Sequence, residues 1–332
     1  MNRRHAICAL LAFGAAAGPL RAAAQPRARL FRIGLLPDCE DAYCGWFHDA
    51  MRESGWLEGR DFELVTPGLR WGVEVETAAQ RVVSANPDLI YTVGTQYVLA
   101  AQRLTRTIPI VFWGAGYPVE CGYARSFARP GGNATGIVTY AGTGIWGKLL
   151  EILRDAKPGT RRVGVLFNYV PPFHPRNEAD LVLRDMRADA QALGVELRVV
   201  EFELPSQLAG ALKELAAQKP DGALLTTGPG TWPVRQDLLR YALERRWPTI
   251  SDVRWAPGDE LQPLMSYGPS PRLLMRQAAS YAVRILKNGA KPGELPIQRP
   301  DRFTLIVNLK TAKAIGLTLP QSLLVRADEV IE

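Results

Sequence analysis

Gly142-Thr143-Gly144-Ile145-Trp146-Gly147 has the spacing G-x-G-x-x-G, with Lys148 directly behind it. Such a loop can bring bare backbone and a helix N-terminus up to a pyrophosphate. Its surroundings fit that use, because a strand-like run (136–140) precedes it and a helical run (148–155) follows. The acid that a ribose would need after the next strand is missing, since that run ends Leu166-Phe167-Asn168. Position 149 is leucine, so the P-loop variant lacks its magnesium-binding hydroxyl. A glycine hinge entering a helix accounts for the same residues. Hydrolytic chemistry is poorly supplied. His48 and His174 are the histidines beyond His5, no G-x-S-x-G occurs, and no His/Cys/acid cluster has metal-ligand spacing. The expectation is a protein with no catalytic residues, no cofactor and no metal.

What remains is a set of polar and aromatic residues at the carboxyl ends of predicted strands, where open α/β sheets bind ligands. Pro37-Asp38 follows a strand at 31–36. Gly94, Thr95 and Gln96 follow one at 89–93, ahead of a helix start whose free N–H groups favour an anion such as a carboxylate. Trp113 and Tyr117 follow one at 109–113, and Tyr140 ends the run before the glycine loop. Asn168 and Tyr169 follow a strand at 162–167, and Thr227 and Asp252 follow later ones. Each residue alone is an ordinary turn or cap former. Their recurrence at one end of successive strands points to a cleft, with aromatics able to stack on a flat ligand.

Those strands alternate with helices expected at 47–54, 74–84, 97–104, 177–193, 207–218 and 234–245. The alternation restarts near residue 162. Strand–helix repeats argue for βαβ units in parallel sheets. Two series argue for an α/β protein of two doubly wound lobes.

The N-terminus reads as a cleaved export signal over 1–24. Arg3 and Arg4 form its charged start, residues 6–17 an apolar stretch, and Ala22-Ala23-Ala24 a cleavage site. The stretch is shorter than the ~20 residues that span a bilayer. Cleavage lowers the formal net charge from +7 to +4, because Arg3, Arg4 and Arg21 leave and no acid goes with them. That mild, well-mixed charge does not argue for nucleic acid. Cys39, Cys44 and Cys121 remain, enough for one disulfide in an oxidising compartment and one free thiol, with the pairing open.

Longer runs carry a resemblance. They include Gly55-Trp56-Leu57-Glu58-Gly59-Arg60, Asn86-Pro87-Asp88-Leu89-Ile90, Thr107-Ile108-Pro109-Ile110-Val111-Phe112 and Ala128-Arg129-Pro130-Gly131-Gly132-Asn133. The last third adds Leu264-Met265-Ser266-Tyr267-Gly268-Pro269-Ser270, Arg302-Phe303-Thr304-Leu305-Ile306-Val307-Asn308 and Leu323-Leu324-Val325-Arg326-Ala327-Asp328. In order and spacing these resemble the solute-binding components of ABC importers, in the branch with tryptophan- and tyrosine-binding lipoproteins. The resemblance implies a type I periplasmic-binding-protein fold whose lobes are joined by a three-strand hinge. It implies lobe 1 at 28–139 plus 269–300 and lobe 2 at 140–268 plus 301–332. It also implies a monomer in the periplasm that binds a small, carboxylate-bearing molecule, aromatic or amino-acid-like, and docks on a membrane permease. An oxidoreductase using Gly142–Gly147 and a sensor input are the alternatives. Tyr117-Pro118-Val119 departs from the Asp-Pro-Val common in the resembled family, so either Asp38, Glu40 or Asp252 supplies the acid for a ligand's amino group, or the ligand is not an amino acid.

Overall fold

Parallel strands covered on both faces need apolar side chains in succession, not in alternation. Leu89–Val93 and Ala134–Val138 are buried at every residue, as are six of the seven residues in Arg162–Asn168. The computed structural model describes residues 29–38, 42–69, 74–139, 144–168, 176–226, 228, 231, 233–255 and 258–332.

Five strands form the first sheet: β1 (Phe31–Leu36), β2 (Phe62–Val65), β3 (Leu89–Val93), β4 (Ile110–Ala115) and β5 (Ala134–Val138). Their order is β2-β1-β3-β4-β5, all parallel. Period-2 alternation sorts their side chains. Tyr91, Val93, Val111 and Trp113 pack with α1 (Ala42–Glu53) and α8 (Pro271–Asn288). Ile90, Ile110 and Phe112 pack with α2 (Val75–Ser84) and α3 (Thr95–Leu104).

The second sheet holds β6 (Arg162–Asn168), β7 (Glu196–Phe202), β8 (Gly222–Leu225), β9 (Thr249–Ser251), β10 (Met265–Gly268), β11 (Thr304–Asn308) and β12 (Glu329–Ile331). Their order is β12-β11-β10-β9-β8-β6-β7, with β10 and β11 antiparallel. One face packs on α4 (Ile145–Ala156), α5 (Arg176–Ala192), α9 (Leu309–Ile315) and α10 (Gln321–Arg326). The other packs on α6 (Leu208–Ala217) and α7 (Arg235–Glu244). The molecule is therefore mixed α/β with two parallel-sheet lobes. The chain passes to the second sheet after β5, returns through α8, which packs on α1 and β4, and passes again into β11.

Both lobes use the same device to set their central strands. Pro87-Asp88 leads into β3, and Asp88 Oδ2 accepts the Arg32 amide of β1 at 2.8 Å. Pro220-Asp221 leads into β8, and Asp221 Oδ2 accepts the Arg162 amide of β6 at 2.9 Å. The residue before each proline is left-handed, Asn86 at φ 51° and Lys219 at φ 51°.

Candidate functional site

In both sheets the strand order reverses beside the first strand of the lobe, β1 next to β3 and β6 next to β8. Crevices at such switch points open at the carboxyl ends of the strands. A cavity of about 90 Å³ lies there, lined from the first lobe by Gly94, Thr95, Gln96, Gly114, Gly116 and Thr139. The second lobe contributes Phe167, Asn168, Glu178, Ala179, Val182, Thr226, Gly228, Thr231 and Asp252. One water needs about 10–15 Å³ on the same measure, so the space suits a small molecule. Two larger hollows, about 550 and 600 Å³, lie on the outer surface of the second lobe and touch no residue of the first sheet.

Thr95 is the first residue of α3, a helix that no side chain caps. Its hydroxyl accepts the Gly116 amide at 3.0 Å and donates to Glu178 Oε1 at 2.6 Å. Glu178 comes from α5 of the opposite lobe and is 6% exposed. The positive end of α3, which the sequence reserves for a ligand carboxylate, is thus met by a carboxylate of the chain itself. Gln96 is 3% exposed, and neither Nε2 nor Oε1 has a hydrogen-bond partner. Its carboxamide folds back over Gly94, where a β-carbon would lie 2.7 Å from Oε1, and Gly94 itself has φ +77°. Glycine is the residue that tolerates both conditions. Asn168 ends β6; its Nδ2 donates to the carbonyls of Phe202 and Glu203 at 2.9 and 3.2 Å, while Oδ1 has no partner. Asp252 follows β9, and a β-carbon on Gly268 would lie 1.8 Å from its carbonyl oxygen.

Two further bonds join the lobes. The Tyr117 hydroxyl donates to Asp185 Oδ2 of α5 at 2.7 Å, and Asn177 Nδ2 donates to the Glu120 carbonyl at 3.3 Å. Burial, then the bond to Asp185, pushes the Tyr117 phenol well above its ordinary value. Burial and next the charge of Glu178 raise the Tyr123 phenol. The same two causes push the Cys121 thiol up to about 12.

Of the residues picked from sequence, Gly94, Thr95, Gln96, Asn168 and Asp252 share this cavity. Asp38 does not; it is half-buried and its amide donates to the Leu69 carbonyl at 3.3 Å. Trp113 is a correction. The strand expected to stop there runs on to Ala115, so Trp113 lies within the sheet and faces the α1/α8 core. Tyr117 reaches across to α5 beside the cavity rather than lining it. Tyr140, Tyr169 and Thr227 lie outside the described residues, as do the export signal, Cys39, Glu40 and Gly142-Thr143. Cys121 is a free, buried thiol. At the glycine motif, the Gly147 amide donates to Asp189 Oδ2 at 2.9 Å. A carboxylate of α5 therefore already stands where a pyrophosphate would approach α4. Among the described residues no group of three His, Cys, Asp or Glu could hold a metal, and no helix is long and apolar enough to cross a membrane.

Sequence reasoning missed Glu178. The signal was present: Glu178, Val182, Met186 and Ala190 recur every fourth residue and are all buried, so the acid sits on the apolar face of its helix. A fully buried acid is rare unless paired.

Two doubly wound lobes facing each other across a cavity define the type I periplasmic-binding-protein class of fold. The chain belongs to the ABC transporter substrate binding protein family, whose profile matches residues 38–331. It is 23% identical over 275 residues to a tyrosine-binding protein of Clostridioides difficile (strain R20291), covering 82% of this chain and 75% of that one. Its fold is similar to that of a Streptococcus pneumonia ABC domain in complex with L-Trp, with a TM-score of 0.78 at 18% identity over 91% of this chain and 100% of the other. A conserved domain protein from Vibrio cholerae gives a TM-score of 0.77 at 21% identity, over 91% and 100% of the two chains.

Proposed function

We propose that this protein is the extracytoplasmic binding component of an ABC importer, capturing one small organic molecule between its lobes and presenting it to a permease. Lobe 1 comprises 28–139 plus 269–300 and lobe 2 comprises 140–268 plus 301–332, with the chain crossing three times as a hinge. The protein works as a periplasmic monomer after removal of 1–24. Its ligand is amino-acid-like. Gln96, Thr95 and Gly94 bind from lobe 1, and Asn168 and Asp252 from lobe 2, with Tyr140, Tyr169 and Thr227 as further ligand-binding residues.

The observation that carries this reading is the buried, unbonded carboxamide of Gln96, faced across the cavity by the unbonded Oδ1 of Asn168. Buried polar atoms are nearly always satisfied, and an unsatisfied one costs about 1–3 kcal/mol. Both residues meet that cost at the point where a ligand would relieve it. A ligand that touches both lobes favours the closed state by that differential contact. Family membership supports the permease partner and the extracytoplasmic location.

A thermal-shift screen of the protein from Gln25 onward tests the proposal. The panel holds aromatic and aliphatic amino acids, small organic acids and NAD. One amino-acid class should raise the melting point saturably, because ligand at a hundredfold over Kd stabilises by about 2.7 kcal/mol. A rise with NAD alone would overturn the receptor reading.

A further inference from the structure

We infer that Tyr117 is a positioning residue of the cleft: it latches the lobes closed against α5, and so sets how long the cleft keeps its ligand without selecting which ligand enters. The inference rests on the receptor reading and adds the device that holds the closed form. The Tyr117 hydroxyl donates to Asp185 Oδ2 at 2.7 Å, across from one lobe to the other. The second oxygen of that carboxylate is already held, accepting Arg184 Nε and Nη2 at 2.9 and 2.8 Å. A hydrogen bond to an ionised carboxylate is about twice as strong as a neutral one. The ring adds packing. It lies against the first-lobe core cluster that holds Tyr97, Phe112 and Tyr123, and against the second-lobe cluster that holds Leu183 and Met186.

The backbone at Tyr117 is shaped to aim it. Its φ of 46° lies in the left-handed region, which a bulky side chain rarely adopts. Such strain persists where the surroundings over-determine it, and here both flanks are tied. Before it, the Gly116 amide donates to the Thr95 hydroxyl at 3.0 Å, and the Gly116 carbonyl accepts the Tyr123 hydroxyl at 2.7 Å. After it, the Tyr117 carbonyl accepts the Cys121 amide at 2.8 Å, and the Pro118 carbonyl accepts the Tyr123 and Ala124 amides at 3.1 and 3.0 Å. The bonds described between the lobes all end on α5, at Asn177, Glu178 and Asp185. Tyr117 itself stands outside the cavity lining. A bond made only in the closed form shifts the open–closed balance by one factor, whatever the ligand.

Small-angle X-ray scattering of the ligand-free protein, and stopped-flow release of L-tyrosine, L-tryptophan and L-leucine, test the latch. Tyr117→Phe keeps the ring and removes the bond. Its scattering should move toward an open form relative to wild type. Release of each probe that binds should quicken about fivefold, by one factor for all of them. Asp185→Ala should do the same, and the double variant should go no further than either single change. A merely structural role would lower the melting point of Tyr117→Phe and leave scattering and release as in wild type; that result overturns the inference. So does a loss that differs between probes, which would make Tyr117 a ligand contact. Scattering needs no ligand, so it decides the latch even when none of the three probes binds, a silence that would count against the receptor reading alone.

Discussion

Gln96 holds a carboxamide at 3% exposure with no partner for either end. In a protein selected for stability alone that position would be apolar. Gln96→Met keeps the volume and removes the desolvated polar group, so it should stabilise the ligand-free protein by about 1 kcal/mol. The same change should cut ligand affinity at least tenfold, a trade of function for stability. Urea melts and calorimetry on one preparation check both halves; a destabilised variant would show that Gln96 serves the fold. This residue was legible because it lies just beyond β3, where the strand-end rule applies, and Asn168 and Asp252 were legible in the same way. Trp113 was misread because one strand continued two residues further than its apolar run signals. Glu178 was passed over although its fourth-residue spacing with Val182, Met186 and Ala190 marks an acid on an apolar helix face; what that spacing does not give is which face meets the other lobe.

At the scale of elements, the site depends on close approaches between strand ends. A β-carbon at Gly268, the last residue of β10, would lie 1.8 Å from the Asp252 carbonyl oxygen after β9. Gly268→Ala must push those two ends apart. It should destabilise by about 1–3 kcal/mol and weaken ligand binding by displacing Asp252. Chemical unfolding and calorimetry test this; wild-type affinity in the variant would remove Asp252 from the ligand's contacts. The strands themselves were readable, with β1 and β3 falling on the expected residues. Most helix starts were too, with α2, α5, α6 and α7 each beginning within one residue of the expected position, but those of α1 and α3 were not. α3 begins at Thr95 rather than Tyr97, and α1 at Ala42 rather than Phe47. The difference matters at α3, because it makes Thr95 part of the helix end that Glu178 meets. Its first turn has no acidic residue and no side-chain cap to announce it.

At the scale of the molecule, each lobe is pinned by an aspartate ahead of a central strand. Burial works against ionisation of Asp221. The Arg162 guanidinium and the Arg161 and Arg162 amides outweigh it, and the carboxyl falls from 3.8 to about 2. A depressed folded-state pKa contributes stability above the unfolded value. That contribution is full above pH 3.8 and is lost as the pH falls toward about 2. Asp221→Asn should therefore lower stability at neutral pH by about 1–2 kcal/mol and flatten the acid limb of the stability curve. An equal loss at pH 7 and pH 2 would refute the assignment. The two-lobed α/β architecture was legible from alternation and its restart. The strand orders were not, because pairing between distant strands leaves no local pattern. The resemblance to a known family supplied what periodicity could not.

The central claim is that one small molecule belongs between the lobes, and native mass spectrometry of protein purified without denaturation addresses it directly. Wild-type protein, as isolated or after incubation with aromatic amino acids, should carry one small-molecule adduct per chain that is lost on denaturation. Gln96→Met should carry none. A wild-type chain that stays bare under all of these conditions, or a variant that loads equally well, would contradict the account.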